Sequence, residues 1–232
     1  MDLRSWMRSV EFGIPPRAAR LAFRLSGRRF DPYHPHHDQL RAIFVHIPKT
    51  AGTSVTRALF GVRASHVPLS RFLAVDPERY ASYFKFAFVR NPWDRMHSAY
   101  GYLAERVGRH HNEDGLWASE HLEGVATFEQ FIASLDNARR RREVMSWVHF
   151  RPQCDWIRIV GRPGVGCDFV GRFEFIDSDF ESICRRLGVN VTLPVLRRGR
   201  GGSYRDAYSR SMVERVGEWY REDVATFDYR FE

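Results

Sequence analysis

The sequence has few cysteines and no hydrophobic run long enough to span a membrane. Its three cysteines, Cys154, Cys167 and Cys184, are widely spaced and form no CxxC pair. This spacing argues against a disulfide framework or a zinc site and favours reduced thiols. A membrane-spanning helix needs about 18 consecutive apolar residues, and no signal-peptide core is present. We therefore expect a soluble, cytoplasmic protein.

Lysine is almost absent, although the chain is basic. Lys49 and Lys85 are its only lysines, yet the formal net charge is +8. The excess positive charge favours an anionic partner, and nucleic acid, anionic lipid, a nucleotide-like cofactor and an acidic glycan all fit it. Codon usage is the simpler explanation of the arginine bias. Even so, one of the two lysines lies in the most loop-like motif of the chain.

The length of 232 residues suits one sizeable domain, and the hydrophobic content of 44% is that of a folded protein. We predict a basic N-terminal arm and linker at residues 1–40 and one domain at residues 41–232. The arm either contacts an anionic membrane peripherally, at the inner face, or packs on the core or is partly disordered. The histidine-rich stretch at residues 34–38 reads as a solvated loop rather than a metal site.

Apolar, β-branched segments alternate with segments of helical periodicity. The predicted strands are residues 41–47, 84–90, 156–160 and 168–173. The predicted helices are residues 53–60, 93–105, 127–135, 179–187 and 209–227. This alternation predicts an α/β fold: a single domain with a P-loop-like, mostly parallel sheet flanked by helices.

The first motif is a strand, a tight turn and a helix within IFVHIPKTAGTSVTRALF (residues 43–60). Small residues at a helix N-terminus expose backbone N–H groups to an anion, and Gly52 is expected to relax the dihedral limits of the turn. The candidate phosphate-binding residues are Lys49, Thr50, Ala51, Gly52, Thr53 and Ser54. The turn is not a Walker A loop, because its lysine precedes its glycine. The alternative is an ordinary connection in which Thr53 or Ser54 caps the helix.

The second motif is FAFVRNPWDRMHSAY (residues 86–100), again a strand, a turn and a helix. Arg90 ends the strand, at the edge where open α/β sheets bind ligands, and Ser98 lies about two turns along the helix. Both side chains could bind one anion. The alternative is that Arg90 only pairs with Asp94. Two anion sites on two strands suggest a ligand with two separate phosphate groups.

These two motifs together resemble a known family. PKTAGTS (residues 48–54) and R-N-P-x-x-R-x-x-S (residues 90–98) are similar to the 5′-phosphosulfate loop and the 3′-phosphate site of sulfotransferases. The resemblance is closest to carbohydrate sulfotransferases of the heparan sulfate 2-O-sulfotransferase type and their small bacterial relatives. Segments at residues 149–157, 168–189 and 222–231 extend it over about residues 41–231.

The resemblance implies transfer of a sulfuryl group from 3′-phosphoadenosine-5′-phosphosulfate (PAPS), without a metal, to a hydroxyl acceptor, a glycan or glycolipid. Lys49 would then stabilise the leaving oxygen within the 5′-phosphate turn, and Arg90 with Ser98 would bind the 3′-phosphate. The chain departs from its relatives at LPVLRRGRGGSYR (residues 193–205), where the relatives carry an asparagine and a serine. A basic loop here, with Ser203 and Arg205, would close over the cofactor.

The base in such a reaction is most often a histidine. The candidates are His46, His66, His97, His121 and His149. His46 falls in the buried strand and reads as a packing residue. We choose His66, because uronyl sulfotransferases have a catalytic histidine in a similar His-Val context between the two cofactor motifs; their second histidine is Ala64 here. His149 is the second candidate, as a base or a substrate-orienting group.

The acceptor and the competing functions stay open at the sequence level. The arginine run at residues 139–142 is either a site for an acidic sugar or a solvated face. An ATP-dependent P-loop-like kinase is one alternative function, but no clear Walker A loop or acidic magnesium ligand is found. A basic protein that binds polyanions or membranes is the other. We expect no nucleic-acid partner, and the sequence does not define an oligomeric state.

Overall fold

A computed structural model describes residues 31–62, 65–194 and 203–232. Residues 1–30 of the predicted arm and linker lie outside the described residues, as do Ala64 and the basic-loop residues Arg197, Arg198 and Arg200. The chain forms two compact units. The described part of the first unit is residues 31–62, 65–89 and 153–194, and that of the second is residues 90–152 and 203–232. Each unit combines two stretches of chain, so neither is a separate segment of the sequence.

The strands and helices alternate as expected. The strands are β1 (Ala42–Val45), β2 (Phe84–Val89) and β3 (Phe169–Arg172). The α-helices are, in chain order, α1 (Pro35–Leu40), α2 (Gly52–Phe60), α3 (Leu69–Val75), α4 (Pro77–Ser82), α5 (Pro92–Ala104), α6 (Glu113–Leu122), α7 (Phe128–Ser134), α8 (Ala138–Ser146), α9 (Cys154–Ile157), α10 (Ile176–Leu187), α11 (Arg210–Trp219) and α12 (Arg221–Phe227). Short 3₁₀ turns lie at Phe173–Phe175 and Tyr204–Ala207.

The sheet of the first unit is parallel throughout its described strands. Its order is β1-β2-β3, with Ala42 opposite Phe84 and Phe86 opposite Phe169. Every residue of β1 is buried, as are five of the six in β2. Strands of a parallel sheet are covered on both faces, which accounts for their continuous apolar sequences. The predicted α/β fold class, a single domain with a parallel sheet flanked by helices, is confirmed.

One face of this sheet packs against α2 and α10. The buried side chains of α10 recur at three- and four-residue intervals, so they form one stripe along the helix. They meet alternate side chains of the first two strands, and each buried phenylalanine contributes about 2 kcal/mol of hydrophobic stabilisation. The cluster comprises Ala42, Phe44, Val55, Phe86, Phe88, Ile176, Phe180, Ile183 and Cys184.

The strand predicted at residues 156–160 is wrong. The chain forms the single helical turn α9 there and then leaves regular structure. The Arg158 N–H donates to the Cys154 carbonyl at 2.9 Å, which is the four-residue bond of a helix and not of a strand. No described strand pairs with this segment, so its apolar residues pack without joining the sheet.

The single helix predicted at residues 209–227 is interrupted. Tyr220 separates α11 from α12, with φ −108° and ψ 25°. Its side chain is 1% exposed, and its hydroxyl donates to the Phe150 carbonyl at 2.6 Å. The buried tyrosine therefore redirects the chain where neither glycine nor proline marks a break.

The histidine-rich stretch at residues 34–38 is not a solvated loop. Pro35 begins α1 at the position where its missing N–H is harmless. The His37 ring is buried edge-on against Phe72, and its Nδ1 accepts the His34 backbone N–H at 2.9 Å. The sequence suggested solvation because a proline-flanked run of histidines does not reveal which ring faces the core.

Lys85, the second of the two lysines, has a structural role in the first unit. Its ammonium lies 2.9 Å from the Asp168 carboxylate and donates to the carbonyls of Tyr80 and Tyr83 at 3.2 and 2.7 Å. The Asp168 carboxylate also accepts the Lys85 backbone N–H at 2.8 Å. These bonds connect the beginning of β2 to the beginning of β3.

All the regular elements among the described residues of the second unit are helices. Helix α5 contacts α6, α7, α11 and the 3₁₀ turn at Tyr204–Ala207, so it is the central element of the unit. Trp93 near its start donates its indole N–H to the Val213 carbonyl at 2.9 Å. Within the described ranges of the whole chain, no helix is long and apolar enough to cross a bilayer.

We predict that His37 makes the stability of the protein depend on pH. Burial, with a smaller contribution from His36, lowers the pKa of His37 to about 4. The unfolded chain therefore binds a proton at higher pH than the folded chain does. The stabilising contribution is complete above pH 6.5 and is lost as the pH falls towards 4, with a slope of at most about 1.4 kcal/mol per pH unit.

His37→Asn keeps an acceptor near the His34 N–H but cannot titrate. Its free energy of unfolding, measured by urea denaturation between pH 7 and pH 4, should therefore decline less steeply than that of the wild type. His110→Asn, which changes an exposed histidine, serves as the control and should retain the wild-type slope. Parallel curves for wild type and His37→Asn would contradict the prediction.

Candidate active site

The turn between β1 and α2 presents unpaired backbone donors. The N–H groups of Thr50, Ala51, Gly52 and Thr53 donate to no described residue, whereas the next N–H group along the chain, that of Ser54, donates to the Ala51 carbonyl at 2.9 Å. Free N–H groups at a helix N-terminus, together with the positive end of the helix dipole, form an anion site. The predicted phosphate-binding turn therefore has suitable geometry.

The side chains of this turn divide into two groups. The hydroxyl of Thr50 is buried and donates to the Ile47 carbonyl at 2.9 Å, so it stabilises the turn from inside. The hydroxyls of Thr53 and Ser54 bond to no described residue, and Thr53 is exposed. Lys49 is half-buried. Neither Thr53 nor Ser54 caps α2, whose N-cap is Ala51 without a side-chain bond.

Two residues of the turn have left-handed backbone conformations, and neither is glycine. Lys49 has φ 70° and Ala51 has φ 64°. Each such non-glycine residue costs roughly 1–2 kcal/mol, and strain of this kind concentrates at functional sites. Gly52, which was expected to relax the dihedral limits of the turn, is not among the residues with positive φ. That expectation is wrong.

Gly52 is required for space instead. A Cβ atom at position 52 would lie 1.8 Å from Cδ2 of His46 and 2.3 Å from its Nε2. The imidazole of His46 therefore lies directly against the backbone of the turn. His46 follows β1 and is 7% exposed, so its sequence interpretation as a buried packing residue agrees with its burial.

His66 contacts His46 in the same unit. Its Nδ1 lies 2.9 Å from the His46 carbonyl oxygen, and the two imidazole centroids are 4.2 Å apart. A carbonyl only accepts, so Nδ1 is the donor, and Nε2 is the basic nitrogen of the neutral ring. Trp156 contacts the His66 ring edge-on at 5.9 Å. His66, one of the predicted bases, and the predicted phosphate-binding turn therefore both contact His46.

In the second unit, Arg90 and Ser98 lie on one side of α5. Arg90 donates from Nε and Nη2 to the two oxygens of Asp94, at 2.7 and 2.8 Å. The predicted alternative, an Arg90–Asp94 pair, is therefore present, and it fixes the plane of the guanidinium. Ser98 follows Asp94 by four residues, which places both on the same helix face, and its hydroxyl bonds to no described residue. The pair and an anion site are compatible.

Ser203 and Arg205 lie in the same unit as Arg90. The Ser203 hydroxyl accepts the Arg205 backbone N–H at 3.3 Å, and the Arg205 guanidinium lies 5.6 Å from the Tyr204 ring centroid. Both residues are exposed. Tyr208, three residues after Arg205, donates its hydroxyl to the Trp93 carbonyl at 2.8 Å. This bond attaches the segment after the basic loop to the first turn of α5.

His149 is part of a buried polar network in the second unit. Its Nε2 lies 3.0 Å from Asp114 Oδ1, and the Tyr102 hydroxyl donates to Oδ2 at 2.8 Å. Burial raises the pKa of the Asp114 carboxyl, but the bonds from His149 and Tyr102 outweigh it and leave the pKa below its ordinary value. His149 is 6% exposed. Its surroundings suit a structural or orienting role better than direct proton transfer at an acceptor.

Arg95, the second arginine of the R-N-P-x-x-R-x-x-S motif, is completely buried. It donates to the carbonyls of His149 and Arg151 at 3.0 and 2.7 Å, and its guanidinium lies 5.3 Å from the Tyr220 ring centroid. It therefore connects α5 to the segment at residues 149–151. Sequence reasoning assigned Arg95 no role, and it missed Asp114 because 35 residues separate the aspartate from His149.

Most of the arginine run on α8 is engaged within its own unit. Arg140 donates to the Ser134 hydroxyl and the His121 carbonyl, and Arg141 donates to the Leu135 carbonyl. Arg139 pairs with Glu143 at 3.1 Å. Arg140 and Arg141 therefore connect α8 to α6 and to the end of α7, whereas the Arg139–Glu143 pair lies within α8 and is exposed. Among the described residues of the chain, no group of three or more His, Cys, Asp or Glu side chains could hold a metal ion.

We predict that Ala51→Gly stabilises the protein. Glycine adopts the left-handed conformation without steric cost, so the free energy of unfolding should rise by about 1 kcal/mol. Ala58→Gly, in the interior of the same helix α2, is the matched control and should lower it by about 1 kcal/mol. Guanidinium denaturation measures both. A decrease in stability for Ala51→Gly would argue against strain in the turn.

The family of the chain can be named on this basis. A family model described as the sulfotransferase family matches residues 36–230 and so includes both motifs and the segments around them. No curated protein and no solved structure matches the chain. The match covers well over half of the 232 residues. The chain therefore belongs to the sulfotransferase family, whose members transfer sulfo groups.

Proposed function

We propose that this sulfotransferase uses PAPS as its donor and transfers the sulfuryl group to a carbohydrate hydroxyl. The observation that carries the donor assignment is the β1–α2 turn, where four successive N–H groups donate to no described residue. These donors suit the 5′-phosphate end of the nucleotide. PAPS supplies an activated sulfuryl group on a phosphate leaving group.

Arg90 and Ser98 suit the 3′-phosphate, which distinguishes PAPS from ATP derivatives. Asp94 holds the guanidinium in a fixed plane, and an oriented planar guanidinium favours phosphate recognition. The turn follows β1 and Arg90 follows β2, and those strands are parallel neighbours. Ser203 and Arg205 are proposed as further donor-binding residues, because their segment is attached through Tyr208 to Trp93, three residues after Arg90.

The chain's own residues would divide the chemistry between charge stabilisation and proton removal. The Lys49 ammonium would stabilise the negative charge that develops on the leaving phosphate oxygen. His66 Nε2 would accept the proton of the acceptor hydroxyl as the new oxygen–sulfur bond forms and the bond from sulfur to the phosphate breaks. His66 is favoured over His149, since the Nε2 of His149 is bonded to Asp114 and its ring is more deeply buried.

Nucleotide binding tests the donor assignment. Wild-type protein should bind adenosine 3′,5′-bisphosphate more tightly than adenosine 5′-monophosphate or ADP, without magnesium. Arg90→Ala should weaken bisphosphate binding by about 10- to 100-fold, because charged hydrogen bonds to the 3′-phosphate are lost. Binding of the monophosphate should stay almost unchanged. The double variant Arg90→Ala/Asp94→Ala is the control, because it also removes the Asp94 carboxylate that the single variant leaves unpaired. Calorimetry that shows magnesium-dependent preference for ADP would exclude PAPS and favour the kinase.

A transfer assay tests the reaction and the acceptor class. Sulfur-labelled donor is offered with a panel of glycans, glycolipids and phenols. We expect a glycan to be labelled, and Lys49→Ala and His66→Asn each to lower kcat by about 100-fold or more. Arg57→Ala removes the same charge from an exposed position of α2 and should retain wild-type turnover. Unchanged turnover in Lys49→Ala would remove that residue from the mechanism, and labelling of phenols alone would overturn the carbohydrate assignment.

A further inference from the structure

The side chain of His46 contacts both parts of the first unit that the proposed function uses. On one side, its imidazole occupies the space where a side chain at position 52 would begin, 1.8 Å from the ideal Cβ of Gly52. On the other side, its ring centroid lies 4.2 Å from that of His66. The His46 ring therefore lies between the β1–α2 turn (the donor turn, which would bind PAPS) and His66, the proposed base.

The main chain of His46 contributes a second contact. Its carbonyl oxygen accepts the hydrogen bond from His66 Nδ1 at 2.9 Å, which selects the tautomer in which Nε2 is basic. Phe44 stacks on the His46 ring at 6.0 Å with an interplanar angle of 16°, and supports it from the sheet. The ring is 7% exposed and so has little room to move.

We propose that His46 is a positioning residue that sets the spacing between the donor turn and His66; this inference rests on the proposed function. Transfer of a sulfuryl group requires the acceptor oxygen and the leaving oxygen to be held in line, and a displacement of about 1 Å can reduce the rate about 100-fold. A rigid aromatic ring between the two groups fixes that separation. The contacts of His46 with Gly52 and with the His66 ring depend on the volume of the His46 ring. The hydrogen bond from His66 Nδ1, in contrast, goes to the backbone carbonyl of His46.

Substitution of His46 separates ring volume from ring chemistry. His46→Ala should lower kcat by about 10- to 100-fold, because the base and the turn lose their common spacer, and raise the KM for PAPS by less. His46→Phe keeps a ring and the backbone carbonyl, so it should recover most of the lost kcat. A similar loss in both variants, or unchanged kcat in His46→Ala, overturns the spacer role.

A second pair of variants tests the contact with the turn. Gly52→Ala should weaken binding of adenosine 3′,5′-bisphosphate by about tenfold or more, because the new Cβ displaces the turn. Gly52→Ala/His46→Ala should restore much of that binding, since the Cβ then enters the space of the missing ring. Gly101→Ala, at an α5 position with no atom within 4 Å of the new Cβ, is the control and should bind normally. Failure of the double variant to regain binding contradicts the contact.

The tautomer of His66 provides a readout that does not depend on activity. In ¹⁵N-labelled wild type, the ring should be protonated at Nδ1, and His46→Phe should keep that state. In His46→Ala the backbone carbonyl remains, but without the neighbouring ring His66 is no longer held against it, so the two tautomers should mix. If the wild type transfers sulfuryl groups while His46→Ala matches it in kcat and tautomer, only the positioning role fails. If the wild type neither binds the bisphosphate nor transfers, the proposed function itself fails.

Discussion

The placement of unpaired backbone N–H groups at the start of α2 is the constraint on which the rest of the first unit depends. Such groups are costly to bury and must face solvent or an anion. The chain holds them in place by two left-handed residues, by a buried threonine hydroxyl and by a histidine ring against Gly52. The turn is therefore built before any ligand arrives. Preorganisation of this kind is what stabilises charge during a reaction.

In the second unit, side chains rather than backbone N–H groups are held in fixed positions. Arg90 is oriented by Asp94, and Arg95 of the same motif is buried and holds carbonyl groups of residues 149 and 151. One arginine thus presents charge at the helix start, whereas the other stabilises the helix contacts behind it. Under the proposed function, the same residue type would bind the donor in one case, and it stabilises helix packing in the other.

Much of the fold could be predicted because its signals are local. Continuous apolar segments predicted β1, β2 and β3, and the lysine-, threonine- and glycine-containing turn predicted a phosphate site. The failures arise where tertiary contacts decide. Tyr220 interrupts a helix through a bond to Phe150, and His37 is buried only because Phe72 lies beside it. Likewise, Gly52 is needed because of the His46 ring, a contact that local dihedral arguments could not reveal.

The division of each unit into two stretches of chain has a consequence for how the protein folds. Strand β2 pairs with β3, which begins about 80 residues further along the chain, so the pairing cannot form until all of residues 90–152 have been synthesised. Until then the apolar edge of β2, rich in phenylalanine, has no partner on that side. Folding of the sheet is therefore expected to be slow and to follow release of most of the chain from the ribosome. An early truncation would expose this edge to aggregation.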